Sequence, residues 1–153
     1  HWDSIDKNFQ KIAFLPNVNA DMSPVIQIYN ILHIENIIEY AEETSKSVGR
    51  IIDVDFLLAD QPAYLHILNL SDEVRDHAYI KLSRWLGSWL YDRSPTTKNS
   101  IDSYLTLLES KRLDNWEQNM KDFWNMTEIL DKTRRESFRN SIPELYEKLY
   151  AEK

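Results

Sequence analysis

The chain contains no cysteine. Disulfides, cysteine zinc sites and thiolate-held iron–sulfur clusters are therefore excluded within these 153 residues, and cysteine usage says nothing about redox compartment. Glycine is almost as scarce, at Gly49 and Gly87 only. Loops that cradle phosphates need glycine where the backbone approaches the ligand, so neither a P-loop nor a dinucleotide fingerprint is present. No apolar run approaches the roughly 20 residues that cross a bilayer. No basic-then-apolar stretch opens the sequence. A basic excess is lacking too: the net charge is −7, which disfavours non-specific binding to nucleic acid and to anionic membrane surfaces. Internal repeats and low-complexity tracts are missing. These absences together predict a cytoplasmic protein with no nucleic-acid or membrane partner. The sequence opens on His1 and Trp2 rather than Met, and the expectation is a piece of a longer chain.

The residues that are present predict helix, strand, helix, strand, and then helices throughout. Asp3 can cap a helix over 3–14 with Ile5, Phe9 and Ile12 on one stripe. "PNVNADMSP" reads as loop, and residues 25–30 as a strand that is apolar on both faces, suited to a covered parallel sheet. A helix over 33–46 follows, closed by Gly49 as a left-handed cap. In a second strand over 51–58, Asp53 and Asp55 share one face while Val54, Phe56 and Leu58 share the other. Ser71 caps the next helix, whose stripe is Val74, Ala78, Leu82, Leu86 and Trp89. Beyond Ser94, helix starts are expected at Ser100, at Asp114 with Glu117, and at Ser141 with Glu144. A strand–helix–strand unit pairs in parallel, and two parallel strands alone are not a stable sheet. Partner strands from an upstream segment or another chain are therefore expected.

Four stretches, taken in order, resemble the later half of radical S-adenosylmethionine enzymes, closest to the twitch-containing type of phage and environmental sequences. "HWDSIDKNFQKI" resembles the helix after the middle of their partial barrel. "SPVIQIYNILHIENIIEYAEE" is similar to a later barrel strand that ends on Asn and leads into its helix. "DVDFLLADQPAYLHILNLSDEVRDHA" resembles the next strand, a Pro and Tyr-Leu segment and a capped helix. "LDKTRRESFRNSIPEL" resembles a segment near the C-terminus of that group. The likeness covers roughly residues 1–83 and 123–145, and its order and spacing carry it rather than any single piece. It implies an α/β fold. Residues 1–93 would be the C-terminal part of a partial (β/α) barrel, two parallel strands with crossover helices, and residues 94–153 an all-helical extension. It also implies a parent enzyme in which a Cys-x3-Cys-x2-Cys loop holds a four-iron four-sulfur (4Fe-4S) cluster. There S-adenosylmethionine is cleaved to a 5′-deoxyadenosyl radical that takes a hydrogen atom from the substrate. Those cysteines are not in this chain, so the implied partner is the missing N-terminal half of the same enzyme. The isolated chain would be inactive. The substrate is not legible in the residues; family analogy alone offers a peptide.

Within that frame the candidate site residues fall at strand ends, where parallel sheets place their active sites. Asn30 ends the first strand and serves either a cofactor polar group or the cap of the following helix. Gln27, between Ile26 and Ile28, contacts S-adenosylmethionine or is a hydrogen-bonded core amide. Asp53 and Asp55 stand about 7 Å apart along the strand. They line a substrate pocket or form a polar strand face near water or Arg50. Tyr64, past Pro62, lies where a substrate loop would be, or packs as an aromatic. His33, His66 and His77 have no metal-ligand spacing with one another. "KTRRESFR" gathers Lys132, Arg134, Arg135 and Arg139 into an anion grip or a structural tie, with Arg134 three residues from Asp131. The competing functional class is a cysteine-free helical interaction module that binds a protein partner through its aromatic helices and performs no chemistry.

Overall fold

The computed structural model describes residues 2–151; His1 and residues 152–153 lie outside the described residues, as does the side chain of Trp2. The chain is mostly helical with two short parallel strands. In order they are α1 (Trp2–Ala13), β1 (Val25–Ile26), α2 (Ile34–Val48), β2 (Leu57–Leu58), α3 (Asp72–Ser83), α4 (Trp89–Arg93), α5 (Pro95–Leu108), α6 (Trp116–Arg134), α7 (Phe138–Ser141) and α8 (Pro143–Tyr150). Tight 3₁₀ turns at Ile28–His33, Ala63–Leu65 and Ile67–Asn69 follow the strands. The helical run from residue 94 onward agrees with the sequence pattern. Among the described residues no helix is long and apolar enough to cross a membrane.

The strands pair in parallel with Val25 opposite Leu57 and Ile26 opposite Leu58. The ladder reaches back further than the strands themselves. Met22 N–H donates to the Asp53 carbonyl at 2.9 Å, and the Met22 carbonyl accepts Asp55 N–H at 2.8 Å. Leu57 N–H reaches Pro24 O at 3.0 Å, and Ala59 N–H reaches Ile26 O at 2.9 Å. The first strand stops four residues before the expected end because Asn30 folds back onto it. The Asn30 Nδ2 donates to Val25 O at 2.8 Å, and its Oδ1 accepts Gln27 N–H at 2.9 Å.

The expectation that both strand faces are covered is not met. Ile26 and Val54 are fully buried and Phe56 nearly so, but Val25 is 51% and Leu57 45% exposed on the opposite face. Burial follows side-chain alternation, with the core on one side only. The expected stripe on α1 also shifts. Ile5 and Ile12 face out, while Asp6, Phe9, Gln10 and Ala13 turn inward. The reason is polar: Tyr40 O–H donates to Asp6 at 2.6 Å, Gln10 Nε2 donates to Thr44 at 3.3 Å, and the Phe9 ring lies 6.0 Å from that of Tyr40.

α2 ends as expected at Gly49, whose φ of 69° is the left-handed value that glycine adopts without a Cβ penalty. Ser71 caps α3 through Val74 N–H. That helix ends at Ser83, so Leu86 and Trp89 do not continue its stripe; Val74, Ala78 and Leu82 do. Further corrections concern helix starts. α5 begins under Ser94, whose hydroxyl accepts Thr97 N–H, with Pro95 in the first turn. Ser100 therefore lies inside α5. The residue before α6 is Asn115, and Asp114 accepts from Lys111. Ser137, not Ser141, caps α7, and α8 starts at Pro143 behind Ile142.

One core runs from Ala13 to Leu149 and continues across residue 94. α5 packs against α3 and α4, α6 against the two later 3₁₀ turns, and α8 against α3. Phe123 of α6 is fully buried among the rings of Tyr29, Trp124 and Phe138, at centroid distances of 4.9, 5.7 and 5.9 Å. Burying such a side chain contributes about 2–3 kcal/mol.

Candidate functional site

The five residues singled out from the sequence do not converge on one point. Asp53 and Asp55 belong to a seam between the second strand and α5. Gln27 and Asn30 sit at the C-terminal end of the first strand, and Tyr64 lies in the 3₁₀ turn past the second strand that packs against α6.

The seam begins as an edge problem. A strand at a sheet border presents unpaired N–H groups. On the outer side of the second strand, those of Val54 and Phe56 are both buried. Among the described residues no third strand meets them there. Instead Thr97 Oγ1 accepts Val54 N–H at 2.9 Å, and Ser100 Oγ accepts Phe56 N–H at 3.1 Å. The two carboxylates complete the arrangement. Ser94 O–H donates to Asp53, and Ser100 O–H donates to Asp55 at 3.2 Å. The Ser94 and Thr97 oxygens are 2.7 Å apart. Because a carboxylate only accepts, the Ser94 proton goes to Asp53, which leaves the Thr97 proton for Ser94. A continuous chain thus runs from Val54 N–H through two hydroxyls to a carboxylate. Asp53 is half-buried and Asp55 exposed.

Beside the seam lies a cleft of about 290 Å³, lined by Asp55, Phe56, Thr96, Asn99, Ser103 and Tyr104 together with Ser100. Tyr104 is 5% exposed, and its ring meets Phe56 edge-on at 5.2 Å. Among the described residues its buried hydroxyl has no hydrogen-bond partner. Burial, and then the charge of Asp55, push that hydroxyl well above the ordinary phenol range, so it stays protonated.

The second region is smaller. A hollow of about 170 Å³ opens between Tyr29, Thr127, Asp131 and Arg134. Tyr29 O–H and Thr127 Oγ1 are 2.6 Å apart, and burial pushes the Tyr29 hydroxyl up. Tyr64 is close enough for its charged form to raise Tyr29 further. Asp131 takes Phe138 N–H on both oxygens at 3.0 Å, which fixes the turn after α6. Arg134 lines the hollow from the exposed side, whereas Arg135 adopts the left-handed conformation that ends α6, and Arg139 lies over the Tyr146 ring at 5.8 Å. The arginine-rich segment is thus dispersed over three tasks. Asn30 spends one donor and one acceptor on its own strand.

The histidines also separate. His66 Nδ1 accepts Leu68 N–H at 3.0 Å, and burial lowers its pKa against the opposing pull of Asp60. His77 contacts Glu144 at 2.7 Å. Among the described residues, no group of three or more His, Asp or Glu side chains could hold a metal ion.

Sequence reasoning missed Ser94, Thr97, Ser100, Ser103 and Tyr104. The signal was present as hydroxyls at 94, 97, 100 and 103, one every three residues, which puts them along one flank of a helix. In comparisons with known proteins, no family model, no curated protein and no solved structure matches this chain.

Proposed function

We propose that this chain is the C-terminal portion of a radical S-adenosylmethionine enzyme, contributing the last two strands of a partial (β/α) barrel and a helical extension. The single observation that carries the reading is the one-sided sheet. Val25 and Leu57 stand exposed beside Asp55, while the reverse face is sealed in the core. Parallel sheets are ordinarily covered on both faces, and a two-strand sheet is not stable by itself. Both borders of the sheet carry side-chain hydrogen bonds. The outer border of the second strand is closed by Thr97 and Ser100, as suits a final strand. On the first strand Asn30 occupies Val25 O and Gln27 N–H of the outer border, so an upstream strand would pair with that border before residue 25 or displace Asn30. The uncovered face would then line the barrel interior, with the apolar Ile5 and Ile12 of α1 against neighbouring upstream helices.

The iron–sulfur cluster does not fit the donors here, since the chain has no cysteine; it belongs to the proposed N-terminal half. S-adenosylmethionine would be shared with that half. Asn30 retains one N–H and one lone pair for it, and Gln27 lies beside Asn30 at the strand end. Asp55, Asp53 and Tyr64 would shape the substrate side of a hydrogen-abstraction site, with a peptide as the substrate class that family analogy offers. The test is to express the reading frame together with its upstream codons under anaerobic conditions. The reading expects a Cys-x3-Cys-x2-Cys segment upstream and release of 5′-deoxyadenosine. A start codon next to His1 with no such segment contradicts it.

A second reading is favoured by a different surface. The Tyr146 and Tyr150 rings stack at 5.4 Å with Tyr150 exposed, next to a hollow of about 210 Å³ lined by Trp116, Met120 and Trp124. Such aromatic surfaces suit a protein partner without chemistry. Turnover by the longer polypeptide decides between the two.

A further inference from the structure

The hollow between Tyr29 and the turn after α6 joins apolar walls to a charged rim. The Tyr29 and Phe138 rings form the walls with Leu130 and Ile142, around a volume of about 170 Å³. An apolar cavity of about 150 Å³ takes up a molecule the size of benzene. The two hydroxyls beside these walls give their protons to the protein. Thr127 O–H donates to Phe123 O at 2.7 Å, so the Tyr29 proton goes to the Thr127 oxygen, 2.6 Å away. The rim is Arg134 and Glu136, both exposed. They flank Arg135, whose left-handed backbone (φ 56°) ends α6 and brings both neighbours to the same hollow. Among the described residues neither rim side chain has a hydrogen bond or an ion pair. Asp131, three residues before Arg134, turns both oxygens to Phe138 N–H instead.

The rim and the walls together restrict the ligand. A simple anion would face Glu136 and Asp131, and a simple cation would face Arg134. A wholly polar molecule would leave the apolar walls wet. Arg134 and Glu136 stand too far apart to pair with each other, so a molecule that carries both charges on neighbouring atoms can bridge them. We propose that the hollow between Tyr29 and the turn after α6 binds a free amino acid with an aliphatic side chain, its carboxylate on Arg134, its ammonium on Glu136 and its side chain against Phe138, Leu130 and Ile142. A guanidinium fork meets both oxygens of a carboxylate, which an ammonium group cannot do. Asp131 keeps lone pairs beyond those that Phe138 uses and adds a second acceptor for the ligand ammonium. Gln27, Asn30, Asp53 and Asp55 do not line this hollow, so the inference stands apart from the enzyme reading and is tested without the upstream half.

The experiment is an amide-correlation NMR titration of the 153-residue protein with millimolar L-leucine as probe. Saturable shifts are expected at the amides of residues 134–138. Two analogues separate the contributions. Glycine keeps both charges without the side chain, and isoamylamine keeps the side chain and the ammonium without the carboxylate. Each should bind about tenfold more weakly than leucine, the effect of losing one charge-assisted contact or the burial of one aliphatic side chain. Arg134→Gln, at an exposed side chain, should weaken leucine by about tenfold, leave isoamylamine no weaker than before and leave the melting temperature unchanged. Glu136→Gln is the second variant and should weaken both leucine and isoamylamine. A parent protein without saturable shifts at those amides would overturn the proposal. So would glycine or isoamylamine binding as tightly as leucine, or either variant binding leucine like its parent.

Discussion

Replacing Thr97 by valine is the sharpest structural perturbation available. The two side chains have nearly the same shape, and Thr97 is fully buried, so packing is conserved. What disappears is the acceptor for Val54 N–H, which lies 2.9 Å away in an equally buried strand, and the hydroxyl 2.7 Å from Ser94. A buried N–H left without a partner costs about 1–3 kcal/mol. The methyl that replaces the hydroxyl offsets this by less than about 1 kcal/mol. The net destabilisation is therefore on the order of 1–2 kcal/mol, or roughly 2–8 °C in Tm for a chain of this length. Urea unfolding with an unchanged m-value measures it. Hydrogen exchange at the Val54 amide should accelerate in step. Thr96→Val, at an exposed position on the same helix, is the control and should stay within about 0.5 kcal/mol. A Thr97→Val protein as stable as its parent would refute the argument that helix hydroxyls seal this border of the sheet.

Two further outcomes are expected. Leu57→Lys, on the uncovered face, should alter stability by less than about 0.5 kcal/mol, whereas Val54→Ala, one face away, should cost about 2 kcal/mol or more; equal effects in thermal melts would show that the face is covered after all. The Glu144 carboxyl is raised by partial burial but brought below its ordinary value by Lys81, 3.5 Å away, and by His77. A depressed carboxyl contributes stability above its unfolded pKa of about 4.5 and loses it as pH falls through the lower folded value. Because Glu144 is 40% exposed, the effect is tenths of a kcal/mol. Glu144→Gln should flatten the acid limb of a stability–pH curve slightly, and an unchanged or steeper limb would reverse the assignment.

Much of the fold was legible because local physics dominates it. Gly49 and Ser71 mark helix ends through backbone needs that tertiary packing does not override. The split of Val54 and Phe56 from Asp55 follows from strand alternation and held throughout. The expectations failed where a side chain used a non-local partner. Asn30 shortens its strand by bonding backward, and Tyr40 draws the polar flank of α1 inward, from 34 residues away. Ser100 looks like a cap in a one-dimensional reading, yet its hydroxyl is committed to a strand 44 residues earlier. For the same reason the candidate site was only half visible. Asp55 was legible as a carboxylate on a strand face; the helix that supplies its surroundings was not, since nothing local in "SPTTKNSIDSY" states which edge it will meet.

The most direct measurement is made on the polypeptide encoded by this reading frame and its upstream codons, purified anaerobically and mixed with S-adenosylmethionine. Formation of 5′-deoxyadenosine, lost when an upstream Cys-x3-Cys-x2-Cys segment is changed to alanines, is the predicted result. An upstream sequence without those cysteines, or a loaded protein that leaves S-adenosylmethionine intact, contradicts the account.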